Sequence, residues 1–295
     1  MSEPLLHWDA RALRALLDPV LPGLSVEVVA RTVSTNTDLL ERARVAEAPC
    51  LRVAEQQTGG RGRQGRVWHS AAGVSLTFSL ALPLQVTDWS GLSLAVGVAV
   101  AEALDPPAAS TAGQRTGRPG PPRIGLKWPN DLWLMDAPGE GRKLGGILIE
   151  TVAAGTQRLA VIGIGLNVHA MGISDVSSGF ASLLELDTTA TAPRVLQRIA
   201  LPLVLALQRF EREGFGAFAS AFAARDLLRG RAVRTTQPGV PEGVAQGVSA
   251  QGALLVQTGA GLEAVTSGEV SVRLNPGAAG HAQPQAPAQL ATPSC

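Results

Sequence analysis

The chain has 295 residues, of which 45% are hydrophobic, and its formal net charge is +1 at pH 7. This length suffices for one large domain, or a large and a small one, and the balanced charge argues against chain-wide attraction to nucleic acid or membrane. Two distant cysteines, Cys50 and Cys295, and four scattered histidines form neither a disulfide framework nor a metal motif. With no secretory leader and no membrane-length apolar run, we expect a cytoplasmic protein without a dedicated metal site.

The N-terminal elements are a short helix and a strand, followed by a polar segment. Apolar residues at helical spacing predict a helix over residues 9–17, and alternation predicts a strand over residues 26–33. No second helix is available here for a helix-turn-helix, so DNA reading is not expected. Ser34-Thr35-Asn36 follow with hydroxyl and amide groups, and Thr35 has capping-box spacing with Asp38. These groups either only cap a helix or also face a small polar ligand.

A loop rich in glycine and arginine, residues 59–66, joins predicted strands over residues 50–54 and 74–82. We call it the glycine loop. Its backbone can approach a ligand closely and its guanidinium groups suit carboxylate or phosphate, although a flexible solvated loop has the same composition. It satisfies the pattern GxGxxG, but a dinucleotide-binding fold needs the last glycine to open a helix, whereas Gly65 leads into a strand. The companion motifs of protein kinases are also absent.

The middle of the chain predicts a helix over residues 89–104, a flexible surface insertion over residues 108–123, and then an antiparallel sheet. The predicted strands of this sheet cover residues 124–128, 132–134, 143–150 and 158–168. Pro129 interrupts what is otherwise one strand over the first two ranges. Glycine inside a strand usually marks a bulge or a close approach to the backbone. Such glycines stand at Gly145, Gly146, Gly163 and Gly165.

The last part of the chain begins with helices and ends in short strands. A helix is predicted over residues 194–213, with a kink or break at Pro202, and another over residues 215–228. Short strand-like pieces separated by glycines then predict a small β-barrel domain over residues 229–274. Residues 275–295 are rich in Ala, Pro and Gln and are expected to be disordered.

Basic side chains from three separate segments are expected on one face of the sheet. They are Lys127, Lys143 and up to three arginines of the glycine loop. So many cations imply a polyanionic ligand. Because no Ser-His-Asp or Cys-His arrangement is evident, the chemistry would rest on positioning and charge stabilisation, as in transfers at phosphorus. A non-catalytic protein that binds anions or nucleic acid is the alternative, and it predicts strongly salt-dependent binding.

Five ordered blocks make the sequence resemble the biotin–protein ligases. The blocks are Ser34-Thr35-Asn36, the glycine loop with Trp68, Lys127-Trp128-Pro129-Asn130-Asp131, Lys143-Leu144-Gly145-Gly146-Ile147-Leu148 and Gly163-Ile164-Gly165-Leu166-Asn167. The resemblance extends to about residue 273. It implies an α+β fold in which a mixed, mainly antiparallel sheet with helices resembles class II aminoacyl-tRNA synthetases. This catalytic domain would cover residues 1–228, and an SH3-like C-terminal barrel would cover residues 229–274.

The resemblance also implies a two-step ligation that uses ATP and Mg²⁺. The biotin carboxylate attacks the α-phosphate of ATP to give biotinyl-5′-AMP and pyrophosphate. A lysine of the biotin carboxyl carrier protein of acetyl-CoA carboxylase then attacks this anhydride. The protein would be a monomer or a homodimer, with neither DNA nor a membrane as a partner. A lipoate-type ligase is the related alternative.

The resemblance assigns roles to individual residues. Biotin would be bound by Ser34, Thr35, Asn36, Gln57, Gly60, Arg61, Gly62, Arg63, Lys143, Gly146, Gly163 and Gly165. ATP and the adenylate would be bound by Arg61, Arg63, Arg66, Trp68, Lys127, Asn130, Lys143 and Asn167. The catalytic residues would be Lys143, Arg63, Lys127 and Asp131, and Asp131 is also the candidate Mg²⁺ ligand. For Trp68, Trp128 and Trp133, core packing is the competing role.

Overall fold

A mixed sheet of seven strands forms the centre of the molecule. The structure is a computed structural model that describes residues 6–43, 49–107, 123–137, 140–154, 157–171, 179–266 and 272–274. The first nine strands are β1 (Ser25–Thr32), β2 (Cys50–Gln57), β3 (Gly60–Arg61), β4 (Val67–Trp68), β5 (Ser75–Pro83), β6 (Ile124–Lys127), β7 (Asp131–Ala137), β8 (Glu140–Ala154) and β9 (Gln157–Asn167). Seven of them pair in the order β1-β2-β5-β9-β8-β7-β6, with β1 and β2 parallel and the other pairs antiparallel. The remaining two, β3 and β4, form a small ribbon within and beside the glycine loop.

The predicted antiparallel sheet is confirmed, but the chain path around Pro129 differs from the prediction. Strands β6 and β7 pair antiparallel, with Lys127 opposite Asp131. The chain therefore reverses at Trp128-Pro129-Asn130 instead of continuing one strand, and the Trp128–Pro129 peptide is cis. Proline cannot donate to a strand ladder, which suits it to this turn. The reversal brings Lys127 and Asp131 side by side.

In the part of the chain that the structure describes, five helices accompany the sheet. They are α1 (Ala10–Leu17), α2 (Thr35–Ala43), α3 (Leu92–Leu104), α4 (Ala192–Glu213) and α5 (Ala219–Ala223). Helix α3 is apolar around its whole circumference and almost entirely buried, as expected for a helix packed between α4 and the sheet. Helix α2 contacts β5, β8 and β9, so its first turn lies against the middle of the sheet. No helix in the described part of the chain is long and apolar enough to cross a membrane.

Two helix predictions near the end of the chain need correction. A kink or a break was expected at Pro202, and α4 continues through this residue without a break. Packing of its apolar face on α3 outweighs a proline cost of roughly 3 kcal/mol. The single helix predicted over residues 215–228 is instead a 3-10 turn, Phe215–Phe218, followed by the short α5. The chain leaves the helix because Arg225 enters a buried ion pair with Asp105.

The C-terminal strands form a second sheet. They are β10 (Ala232–Thr235), β11 (Glu242–Val248), β12 (Leu254–Thr258), β13 (Gly261–Val265) and β14 (Val272–Leu274). Their order is β13-β12-β11-β10-β14, and within the described residues no pairing of β13 with β14 closes it into the expected barrel. This sheet contacts the turn after β6, where the Trp128 indole donates to the Gly252 carbonyl at 3.0 Å.

Two predicted segments lie outside the described residues, namely 275–295 and most of the insertion, residues 108–122. The two ends of the insertion are held together by Asp105. Its carboxylate accepts the backbone N–H groups of Arg123 and Ile124 at 2.7 and 3.0 Å and pairs with Arg225 at 3.2 Å. The end of α3 and the beginning of β6 thus meet at this one anchor.

Candidate active site

One cavity of about 460 Å³ gathers the predicted site residues. The predicted residues that line it are Ser34, Thr35, Asn36, Gln57, Arg61, Gly62, Arg63, Arg66, Trp68, Lys127, Asn130, Asp131, Lys143, Gly146, Gly163, Gly165 and Asn167. Gly60 is the exception. A Cβ at Gly60 would lie 2.5 Å from the Trp68 carbonyl oxygen, so this glycine allows close packing of β3 on β4 and does not line the cavity.

One end of the cavity is a group of hydroxyl and amide side chains, Ser34, Thr35, Asn36 and Gln57, which we call the polar end; the first three are buried and Gln57 is half-buried. Thr35 begins α2 and donates through its backbone N–H to Gln57 Oε1 at 2.7 Å, with its hydroxyl oxygen 3.0 Å from the same atom. Asn36 donates through Nδ2 to the Leu148 carbonyl at 3.2 Å. The end of β1, the start of α2 and the end of β2 thus meet at one place.

The capping box expected between Thr35 and Asp38 does not form. The Ser34 hydroxyl accepts the Thr37 backbone N–H at 3.4 Å and takes the capping position. Asp38 instead accepts from the Thr32 hydroxyl and from Arg52, whose Nε lies 2.6 Å from the carboxylate. A charged partner outcompetes the backbone N–H groups for Asp38. The Thr35 side chain therefore faces the cavity.

Strand β9 supplies a floor without side chains at two points. A Cβ at Gly163 would lie 2.2 Å from Asn36 Oδ1, and a Cβ at Gly165 would lie 2.4 Å from the Trp68 ring. The prediction that groups approach the backbone at these glycines is confirmed. Trp68 Nε1 is buried without a hydrogen-bond partner among the described residues. A buried donor of this kind is usually satisfied by a ligand or water.

The other end of the cavity, Lys127, Asp131 and Lys143, is the charged end. Lys143 Nζ lies 2.7 Å from Asp131 Oδ1. Lys127 Nζ donates to the Val272 carbonyl at 3.0 Å and lies 5.3 Å from the centre of the Trp133 ring. Burial lowers the pKa of Lys127; Asp131 opposes this shift and Lys143 adds to it. Cations held this way attract anionic groups that can replace the lost hydration.

Two predicted adenylate-binding residues use their amide nitrogens on the protein backbone. Asn167 donates to the Lys143 and Ala181 carbonyls at 3.2 and 3.0 Å, and Asn130 donates to the Ile147 carbonyl at 2.7 Å. Asn167 thereby fixes the backbone of Lys143 from β9. Of the three tryptophans, Trp128 and Trp133 are buried, whereas Trp68 is half-buried; both Trp68 and Trp128 line the cavity.

Sequence reasoning missed the cavity residues that come from distant parts of the chain. They are Gly179 and Phe180, which follow β9, and Val272 and Arg273 of the C-terminal sheet. The only available signal was that the family resemblance extends to about residue 273. No local pattern marks Phe180, because its position depends on pairing with Lys143 across the sheet.

The sequence matches two protein-family descriptions, which cover the two sheets in turn. Residues 28–167 match the Biotin/lipoate A/B protein ligase family. Residues 230–273 match the Biotin protein ligase C terminal domain. The first match contains the glycine loop and both ends of the cavity, and the second contains Arg273. The fold and the site therefore place this chain in a broad class, the ligases that act on biotin or lipoate.

Relatives narrow this class. The chain is 34% identical to the biotin–[acetyl-CoA-carboxylase] ligase of Mycobacterium tuberculosis over 89% of this chain and 94% of that protein. It is 32% identical to the bifunctional ligase/repressor BirA of Escherichia coli, over 92% and 80%. The Aquifex aeolicus biotin protein ligase, solved with biotin and ATP, superposes with a TM-score of 0.69 at 27% identity, covering 86% of this chain and all of that one. The chain belongs to the biotin protein ligase family.

Proposed function

We propose that this protein activates biotin with ATP and transfers the biotinyl group to a lysine of the biotin carboxyl carrier protein of acetyl-CoA carboxylase. The observation that carries the proposal is the single cavity with a neutral, hydrogen-bonding end and a charged end joined by a glycine floor. Biotin has the same division, with a neutral ureido head and a carboxylate at the end of an apolar chain. The relatives named biotin–[acetyl-CoA-carboxylase] ligases support the choice of acceptor.

In this proposal the polar end binds the ureido ring, and Trp128, Ile147 and Ile164 contact the apolar part of biotin. Lys143 and the arginines of the glycine loop hold the biotin carboxylate and the α-phosphate together. A carboxylate oxygen then forms a bond to phosphorus as pyrophosphate leaves. Lys127 and Lys143 stabilise the charge that builds on the phosphate oxygens.

The second step joins biotin to the carrier. The neutral amine of the carrier lysine attacks the acyl carbon of biotinyl-5′-AMP, an amide bond forms, AMP leaves and the amine releases a proton. Trp68 and Asn167 are assigned to the adenine side of the cavity, where the unpaired Trp68 Nε1 offers a donor. We infer that residues 1–228 perform the chemistry and that residues 229–274 close the cavity with Val272 and Arg273.

The donor set fits a magnesium ion that arrives with the nucleotide. Among the described residues no three His, Cys, Asp or Glu side chains cluster as metal ligands. Asp131 is a single carboxylate in the cavity with one oxygen on Lys143, and Mg²⁺ commonly uses one protein carboxylate together with phosphate oxygens and waters. Asp131 would be that ligand, and Mg²⁺ would neutralise phosphate charge.

The test is pyrophosphate release from Mg-ATP with biotin or with lipoate as the acid. We expect release with biotin, little with lipoate, and transfer of biotin to a carrier-domain lysine. Lys143→Ala and Arg63→Ala should each lower the rate at least about 100-fold, because each removes a charge-stabilising donor, while the circular dichroism spectrum is retained. Release driven by lipoate alone would replace biotin by lipoate, and unchanged rates in both variants would refute the site.

A further inference from the structure

The buried hydroxyl of Ser79 on β5 lies at the centre of the polar end but does not line the cavity. Its Oγ donates to Asn36 Oδ1 at 2.5 Å and lies 2.7 Å from Thr35 Oγ1. Both partners line the cavity. Ser79 therefore touches two proposed biotin-binding residues from behind.

The orientation of the Asn36 amide is set by two groups that can only accept hydrogen bonds. Its Nδ2 donates to the Leu148 carbonyl at 3.2 Å and to Glu150 Oε2 at 2.9 Å. A flipped amide would direct Oδ1 at both acceptors, so the flip is excluded. Asn36 Oδ1 consequently needs a donor from the other side, and Ser79 supplies it.

The hydrogen bond from Ser79 to Asn36 also determines the direction of the neighbouring hydrogen bond between Ser79 and Thr35. A serine hydroxyl has one proton, and that of Ser79 is committed to Asn36. The Thr35 hydroxyl has two acceptors within reach, Ser79 Oγ at 2.7 Å and Gln57 Oε1 at 3.0 Å, and because Ser79 has no proton left, its contact with Thr35 requires the Thr35 proton. Gln57 Oε1 still receives the Thr35 backbone N–H, so the Gln57 amide is held with its oxygen inward. The result is a one-way relay from Thr35 through Ser79 and Asn36 to Glu150.

We propose that Ser79 is a positioning residue for biotin recognition: its hydroxyl supplies the donor that Asn36 Oδ1 needs and takes the proton of Thr35, and so holds these two cavity residues in one hydrogen-bonding arrangement. This inference rests on the proposed function, since it concerns the ureido head of biotin. A ureido group presents one acceptor and two donors in a rigid ring, so its affinity depends on that pattern being fixed before binding. Loss of Ser79 leaves the buried Asn36 Oδ1 without this donor and releases the Thr35 proton to Gln57 Oε1, 3.0 Å away.

The experiment compares Ser79→Ala and Ser79→Cys with Ser75→Ala in the full-length chain. Cysteine keeps the volume but is a weak donor. Ser75 is a matched control, because it is a buried serine on the same strand, in register with Ser79, whose Oγ makes no hydrogen bond to a described residue. We expect the KM for biotin to rise about 10-fold or more in both Ser79 variants. The KM for ATP, kcat at saturating biotin and every constant of Ser75→Ala should stay within about twofold.

A second readout separates positioning from general damage. In 2-iminobiotin an imino nitrogen replaces the ureido oxygen, and because the resulting guanidine is protonated at neutral pH, an acceptor becomes a positively charged donor. We expect the preference for biotin over 2-iminobiotin, measured as the ratio of kcat/KM values, to fall at least about fivefold in the Ser79 variants. This ratio does not depend on the fraction of folded protein.

The outcomes separate this inference from the proposed function. Unchanged biotin KM in a folded Ser79 variant, an equal loss in Ser75→Ala, or an unchanged biotin preference each overturns the role of Ser79 while the ligase reaction stands. Absence of biotin-dependent pyrophosphate release from the unaltered protein overturns the proposed function and this inference with it.

Discussion

Lys127 is a single residue that favours ligand binding and lowers the stability of the fold. Its ammonium group is partly buried, and the contacts described for it are one backbone carbonyl, that of Val272, and the face of Trp133. Its pKa is lowered mainly because burial removes hydration that these contacts do not fully replace. A ligand phosphate would replace this lost hydration. The protein without ligand therefore carries an unfavourable partly buried charge that ligand binding would relieve.

Lys127→Met should stabilise the fold while it abolishes ligase activity. Methionine fills a similar volume without a charge to desolvate, so we expect the free energy of unfolding to rise on the order of 1 kcal/mol at pH 7. Between the lowered pKa of the folded state and about 10.4, the unfolded wild-type chain holds one more proton than the folded chain. Wild-type stability therefore increases with pH in this range, and the advantage of the variant shrinks.

The measurement is urea unfolding of both proteins from pH 7 to 10, with pyrophosphate release at pH 7. Taking the difference between the two proteins cancels the other titrating groups. A stability difference that is independent of pH, or a variant less stable at every pH, would contradict this account of Lys127.

For single elements, the sequence predicts the helices and strands that have a local repeat of apolar residues. It does not predict caps, turns and helix ends that depend on residues far away in the chain. Alternation located β1 and β5 to within a residue or two, and apolar spacing located α1 and α3. The Thr35–Asp38 capping box failed because Arg52, on another strand, competes for the carboxylate. The hairpin at Pro129 likewise follows from pairing with β7, and the end of the helix after Ala223 follows from the buried Asp105 anchor.

A set of long-range contacts made by Arg142 on β8 supports the charged end of the cavity. Arg142, next to Lys143 on β8, uses its guanidinium on Asp136 at 2.7 Å, Glu185 at 2.6 Å and the Phe180 carbonyl at 3.0 Å. Hydrogen bonds from Arg142 lower the pKa of both carboxyls. The segment that Arg142 holds through Phe180 and Glu185 pairs with the Lys143 backbone, since the Ala181 N–H donates to the Lys143 carbonyl at 3.0 Å. Arg142 thus holds one wall of the cavity against the strand that carries the lysine.

Arg142→Lys should weaken ATP use more than biotin binding. A lysine cannot span two carboxylates and a carbonyl with one planar group. We therefore expect the KM for ATP to rise about 5- to 10-fold, with the dissociation constant of biotin alone unchanged. Arg209→Lys, in an exposed pair with Glu213 on α4, is the control and should leave both constants unchanged. If Arg142→Lys raised the KM for ATP and the dissociation constant of biotin equally, Arg142 would only stabilise the fold in general.

For the whole molecule, the site is an assembly of segments from residue 34 to residue 273. The five blocks were predictable because each carries its chemistry in a short motif. Phe180 was not predictable, because pairing with Lys143 brings it to the cavity, and Arg273 was not, because no local pattern shows that the second sheet packs against the turn after β6. The hydrogen bond from Trp128 to the Gly252 carbonyl is one contact between that turn and the second sheet, and it is visible only in three dimensions.

The distribution of lysine is a property of the whole molecule that matches the proposed chemistry. Lys127 and Lys143 are the only lysines in the sequence, against 23 arginines. Both lie in the cavity, one paired with Asp131 and one bonded to the Val272 carbonyl. An acyl adenylate reacts with neutral amines, whereas arginine stays protonated and does not act as a nucleophile. The rest of the chain therefore offers biotinyl-5′-AMP no lysine side chain to acylate.

We predict that the protein does not biotinylate its own side chains and that surface lysines would make it do so. Arg31→Lys, exposed on β1, and Arg212→Lys, exposed on α4, keep the charge and lie outside the proposed site. After incubation with biotin and Mg-ATP without carrier, peptide mapping by mass spectrometry should find biotinyl-lysine at residues 31 and 212 of the variants and none at Lys127 or Lys143. Labelling of those two lysines in the unaltered protein, or unlabelled variants that still biotinylate the carrier, would show that the absence of surface lysine does not protect the enzyme from its own intermediate.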